Sequence, residues 1–348
     1  MFAGTVGLTW NQSNELETKS KGSGGWLAGP VAAALPHVLG RRKRRPALWG
    51  TPPPRHPREW PRRQTCSMPE LPEVEIAARR LNTALVGASV ESVVAPGMNV
   101  MKTFDPPLEE LVGREVSGVR RIGKMPVVEF GDLALLIHLM SAGRLRLFDK
   151  QASLKDRASR VLVRLEDGRE LRLREFGTKQ RAWAKLLAAD AVAEDEMVAR
   201  LGPEAWPPPS LETFTELIDQ PRHLHPLLRH QGDIAGIGRT WVDEILWEAK
   251  LSPFKKGSEL NEEEIEHLHA ALHVLGNAID YYEETIGEHL PDKAPMPLKV
   301  HKQEGQPCPR CGTTIEAVFF SERQTNYCPK EQTGGRVLKD RRLSRLLK

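Results

Sequence analysis

The sequence predicts an α+β protein: a leading helix, a β-sandwich, a helical region and a closing cysteine-bearing β-hairpin. Three observations carry this. Val74, Ala77, Ala78, Leu81 and Leu85 recur at helical spacing. Between Val90 and about Leu187 come short β-rich runs bounded by Gly, Pro or Asp. Beyond residue 210 helical spacing returns, until Cys308-Pro309-Arg310-Cys311 and Cys328-Pro329-Lys330-Glu331 appear with sixteen residues between the two pairs. The chain divides accordingly into an extension at 1–67, a helix-led sandwich at 68–190, a helical domain at 203–290, and a hairpin with a basic tail at 299–348.

The leading helix begins behind Met68-Pro69-Glu70-Leu71-Pro72-Glu73-Val74-Glu75, where Pro72 suits a first turn in which a missing N–H costs nothing. Strands are expected at Val90–Ala95, Val116–Ile122, Val127–Phe130 and Leu133–Leu139. Arg160–Leu165 and Glu170–Arg174 alternate apolar and charged residues around an Asp167-Gly168 hairpin signal. Several strands after one helix suggest the sandwich. Ala188–Leu201 reads as a short helix, and the Pro-rich stretch from Pro203 to Pro209 as a linker. Asn261 and Glu264 form a capping box for a helix in which Ile265, Leu268, Leu272, Leu275, Ile279 and Tyr282 make one apolar core stripe. His267, His269 and His273 on that helix are expected at the surface.

Composition bounds the function. No apolar run reaches membrane-spanning length. The net charge of the chain is +4, but residues 1–67 hold eleven Lys/Arg against three Asp/Glu, so the remainder is at −4. An anion-binding body with that balance must gather its basic groups on one face. Lys299–Lys348, with eleven Lys/Arg and five Asp/Glu, is one candidate. Of four cysteines, three cluster at metal-ligand spacing and Cys66 stands apart, which suits a reducing, cytoplasmic compartment rather than a secreted disulfide framework. Residues 1–67 lack apolar periodicity. They are expected to be a disordered extension or upstream sequence read as protein, with translation starting at Met68.

If Met68 is the start and is removed, Pro69 becomes a secondary amine able to attack a sugar aldehyde carbon and form an iminium. The helix behind it favours the neutral amine, and Glu70 and Glu73 supply carboxylates for proton transfer. The competing reading makes these residues helix punctuation. Gln231-Gly232-Asp233-Ile234-Ala235-Gly236-Ile237-Gly238-Arg239 is a glycine-bounded turn opening a helix, a place where backbone N–H groups receive phosphate, or a plain helix–helix turn. The two cysteine pairs place four ligands, Cys308, Cys311, Cys328 and Glu331, around one zinc, the carboxylate being an uncommon structural ligand; a metal-free hairpin is the alternative.

The proline-led octet resembles the N-terminus of the formamidopyrimidine-DNA glycosylase and endonuclease VIII family of bifunctional base-excision repair enzymes. The resemblance runs from Met68 to Lys348. It implies a helix–two-turn–helix domain at 203–290, one structural zinc ion and double-stranded DNA with oxidised bases or abasic sites as partner. A monomer with no membrane and no nucleotide cofactor is expected. Pro69 would be the nucleophile, Glu70 would help base departure and ring opening, and Glu73 would assist. The iminium would then allow β,δ-elimination. Lys124, in Arg120-Arg121-Ile122-Gly123-Lys124, resembles the family's hairpin lysine, which reaches the active site and DNA. Arg239 stands where most members have asparagine. Arg323, in the hairpin, resembles the family's phosphate-holding arginine. Lys179 and Arg181 lie in a loop that departs from the usual Arg-Phe-Gly pattern. In His138-Leu139-Met140-Ser141 the position that fills the gap left by an extruded base falls on Ser141, with Met140 beside it. Ile286–Gln306 lacks the Gly-rich aromatic loop of purine-specific members, which leans toward oxidised pyrimidines, abasic sites or a broad range. Two other classes remain: a DNA-binding module without lyase chemistry if residues 1–67 stay attached, and a zinc-ribbon interaction protein.

Overall fold

The computed structural model describes residues 69–97, 99–176, 179–287, 295–320 and 323–338. The expectations for residues 1–67 and for the end of the basic tail lie outside them. Helix α1 (Leu71–Leu85) is capped by a reciprocal Glu70/Glu73 box, with proline in its first turn. It is followed by β1 (Val90–Val94), β2 (Gly118–Ile122), β3 (Met125–Phe130), β4 (Leu133–His138), β5 (Gly143–Phe148), β6 (Ser159–Leu165), β7 (Glu170–Glu175) and β8 (Trp183–Ala188). They form two four-stranded sheets, β1-β6-β7-β5 and β2-β3-β4-β8, with antiparallel neighbours throughout.

Alternation explains the sandwich. Val161, Val163, Leu165, Leu171 and Leu173 from one sheet meet Val128, Phe130, Leu133, Leu135 and Ile137 from the other. β3 and β4 are apolar on both faces, because Met125, Val127, Ala134 and Leu136 are covered on the outside by Val192, Met197, Val198 and Leu201. The segment doing this was expected to be a helix. It forms only a 3-10 turn at Asp190–Glu194, and Asp195 ties it down by an ion pair with Lys185 at 2.6 Å.

The helical region contains α2 (Leu211–Ile218), α3 (Leu224–Leu228), α4 (Arg239–Glu248), α5 (Glu262–Ala270) and α6 (His273–Thr285). The single helix expected from Glu262 to Tyr282 is two, broken at Ala271-Leu272, yet its stripe is core apart from the half-buried Ile265. His267 and His273 are exposed, whereas His269 is half-buried, with Nε2 2.7 Å from the Pro209 carbonyl. The Pro-rich stretch is no free linker. Glu204 receives Arg121 and the Gly123 N–H, and Trp206 packs on Gly276. Hairpin β9 (Glu316–Phe320) and β10 (Arg323–Tyr327), with short α7 (Pro329–Thr333), closes the chain.

Helix α1 belongs to both cores. Val74, Ala78, Leu81 and Leu85 enter the sandwich, while Leu71 and Ile76 enter the helical core. Residues 62–348 accordingly form one compact unit. A Cβ at Gly276 would lie 2.2 Å from Trp206 Cζ2. Gly276→Ala should therefore destabilise the protein by about 1–3 kcal/mol through overpacking, read as a lowered midpoint in urea.

Candidate active site

The site is assembled around the turn that opens α4. Leu71 N–H donates to the Gly236 carbonyl at 3.0 Å, which brings the start of α1 against this turn. Glu70, 1 % exposed, accepts from Thr240 N at 2.9 Å and Trp241 N at 3.2 Å. The helix N-terminus expected to receive phosphate thus holds a carboxylate of the same chain, for the same electrostatic reason. A Cβ on Gly238 would lie 2.1–2.5 Å from that carboxyl group, and one on Gly236, at φ +100°, 2.4 Å from Leu71. Both glycines are required by close approach.

Glu73 sits one step deeper. Its carboxylate accepts from Tyr282 Oη at 2.8 Å, Trp241 Nε1 at 3.1 Å and Glu70 N at 2.9 Å. Burial, then the charge of Glu70, pushes its carboxyl up to about 7. Tyr282 was read as core by its spacing; it is fully buried, but its hydroxyl belongs to the site.

Lys124 projects from the β2–β3 turn, where Gly123 takes φ +58°. Its ammonium donates to the Ile237 carbonyl at 2.7 Å, and burial holds its pKa below the ordinary value. Gln231 donates to the same carbonyl at 2.8 Å and accepts from Gly236 N, fixing the turn from beneath.

Pro69, Lys124, His138, Met140, Arg229 and Arg239 share the lining of a cleft of about 770 Å³ in which no carboxylate takes part among the described residues. His138 stacks on Trp183 with ring centroids 5.2 Å apart. Met140, at φ +50°, lines the cleft, whereas Ser141 is exposed and outside its lining. Lys179 and Arg181 are exposed and also outside it. Arg323 begins β10, but its side chain lies outside the described residues.

At the far end of α4, Glu244 accepts from Lys299 N, Val300 N and His301 N. Asp243 Oδ2 accepts from Asn326 N at 3.1 Å and lies 2.7 Å from His301 Nδ1. This acidic pair, not singled out in the sequence, ties the hairpin to α4. Its signal was two adjacent carboxylates set between the apolar runs Trp241-Val242 and Ile245-Leu246-Trp247. The thiols of Cys308, Cys311 and Cys328 lie within 4.8 Å of one another, which fits zinc–thiolate bonds of about 2.3 Å. Glu331 does not join them. Its carboxylate lies 3.5 Å from Arg310 Nη1, and Arg310 also binds Glu248 and stacks on Trp247. The arginine between the first two cysteines competes for the carboxylate that spacing alone offered to the metal.

Two measurements follow. Glu73 has a folded pKa near 7 against an ordinary 4.5, so its contribution to stability is present below pH 4.5 and lost as pH rises through 7. Between those limits wild type should lose up to about 3 kcal/mol relative to Glu73→Gln, by denaturant titration across pH. Metal analysis should find one zinc per chain in Glu331→Gln and a loss of zinc in Cys328→Ser.

Comparison with known proteins identifies the domains that carry this site. Residues 68–179 match the formamidopyrimidine-DNA glycosylase N-terminal domain, 201–289 its H2TH domain, and 305–330 the zinc finger found in FPG and IleRS. That match makes structural zinc the cofactor of the hairpin, and it ends before Glu331. The formamidopyrimidine-DNA glycosylase of Lactococcus lactis subsp. cremoris is 32% identical over 278 residues, covering 75% of this chain and 98% of that protein. The enzyme of that name from Roseiflexus sp. is 33% identical over 282 residues, covering 76% and 100%. A crystal structure of wild-type Lactococcus lactis Fpg with DNA containing N7-benzyl-Fapy-dG superposes with a TM-score of 0.69 at 29% identity, over 76% of this chain and 100% of that one. With all three domains in order and nearly the whole length of its relatives covered, the chain belongs to the formamidopyrimidine-DNA glycosylase family.

Proposed function

We propose that the protein is a bifunctional DNA glycosylase and abasic-site lyase acting on oxidised bases in duplex DNA. The observation that carries this is one cleft in which Pro69 meets Lys124, His138 and Arg239 with no carboxylate in the lining among the described residues, while Glu70 and Glu73 are fixed directly behind Pro69. The cations suit phosphates, and the extruded sugar can then present its anomeric carbon to Pro69.

The chemistry requires Pro69 as the first residue, since an amide nitrogen has no available lone pair. The Pro69 nitrogen pair forms a bond to C1′, and the glycosidic pair leaves with the base, which takes up a proton. The bonded nitrogen loses its N–H proton, and its lone pair then forms the C=N bond as C1′–O4′ breaks and O4′ is protonated, giving the iminium. Loss of a C2′ proton sends electrons through the conjugated system to break C3′–O3′, and a second elimination releases the 5′ side. The Glu70–Glu73 pair exchanges these protons. Lys124 and Arg239 hold phosphates. Lys179, Arg181 and Arg323 are assigned to the flanking backbone.

Borohydride trapping on a duplex with one abasic site tests the reading. Protein expressed from Met68, which keeps every described residue, should give a covalent adduct; a chain that retains residue 68 should give none. Binding without an adduct from the trimmed protein would leave a DNA-binding module. Arg239→Ala should lower the slope of log affinity against log salt by about 0.9.

A further inference from the structure

Glu70 and Glu73 are held by different kinds of donor. Glu70 is held by the backbone amides of Thr240 and Trp241, which donate and never accept. Glu73 is held by an indole, one amide and the Tyr282 phenol. A phenol can donate or accept, so Tyr282 can satisfy Glu73 in either state, giving its O–H to the carboxylate or receiving one from the carboxylic acid.

The surroundings make that choice matter. Tyr282 is 0 % exposed, and burial followed by the charge of Glu73 holds its own pKa far above the ordinary phenol value, so it keeps its proton. The titratable groups facing Glu73 are Glu70 at the head of α1 and Tyr282 on α6, while α4 meets it with the uncharged Trp241 indole. Lys124, from the β2–β3 turn, is coupled to both carboxylates. Two neighbouring carboxylates in one enclosed site do not ionise alike.

We propose that Tyr282 is a positioning residue of the active site, holding the Glu73 carboxyl group in place through both protonation states as it gives up and regains a proton. When Glu73 releases that proton toward the reacting sugar, Tyr282 turns its O–H from accepting geometry to donating geometry and keeps the resulting carboxylate in place. Glu70 keeps its two amide donors on α4 throughout. The inference rests on the lyase reading given above.

The test is single-turnover cleavage of an abasic duplex between pH 5.5 and 8.5, with protein expressed from Met68. Wild type should show an inflection near neutrality that Glu73→Gln lacks. Tyr282→Phe removes a hydrogen bond that favours ionised Glu73, so its inflection should move up by about one unit, with DNA affinity within twofold of wild type. In the Glu73→Gln background Tyr282→Phe should change the rate less than twofold. Trp241→Phe removes the other side-chain donor and should move the inflection the same way, which keeps the test open should Tyr282→Phe fail to fold. A Tyr282→Phe profile superimposable on wild type, or an equal effect with and without Glu73, overturns the proposal. Wild type that neither cleaves nor traps overturns the lyase reading and this inference with it; active wild type with an unaltered Tyr282→Phe overturns this inference alone.

Discussion

The constraint on which the molecule depends is the need to satisfy the amides that open α4. Glu70 meets two of them from a position 170 residues earlier in the chain. A carboxylate at a helix N-terminus satisfies both the free N–H groups and the helix dipole. Here it also decides where α1 begins, and therefore where Pro69 lies. The same turn holds Lys124 through the Ile237 carbonyl and is itself pinned by Gln231. Pro69, Glu70, Glu73 and Lys124 are all referred to one stretch of backbone from Gly236 to Trp241.

Around that stretch, charges act as fasteners between segments distant in sequence. Arg121, 7 % exposed at its side chain, joins Glu75 of α1 to Glu204 of the Pro-rich segment. Asp243 and Glu244 join α4 to the approach of the zinc hairpin. Such buried charges add little stability over apolar packing, but removing one partner strands the other at considerable cost. They serve here to fix geometry: Glu204 also receives the amide of Gly123, beside Lys124.

Local pattern revealed what is local. The spacing of Val74 to Leu85 and the alternation of Arg160 to Leu165 identify α1 and β6 because burial on one face is written into the residues themselves. β5, equally alternating in Gly143–Phe148, lies directly behind the His138–Ser141 segment and was not among the expected strands. The break between α5 and α6 has no Gly or Pro to mark it; Leu272 keeps right-handed helical angles. Pairings across the chain left no trace in spacing. Nothing next to Glu70 points to Thr240, and Tyr282 fits the core stripe so well that its hydroxyl drew no attention. Glu331 shows the converse: it is near Cys328 in sequence, but its carboxylate lies against Arg310.

The double membership of α1 also bears on how the chain loses its structure. One helix supplies side chains to the sandwich core on one face and to the helical core at its head. Melting it would empty part of both interiors at once, so an opening that includes α1 disturbs both lobes together. The lobes are therefore coupled in cooperativity as well as in space, and the residue proposed to do the chemistry is attached to an element whose opening would disturb both cores.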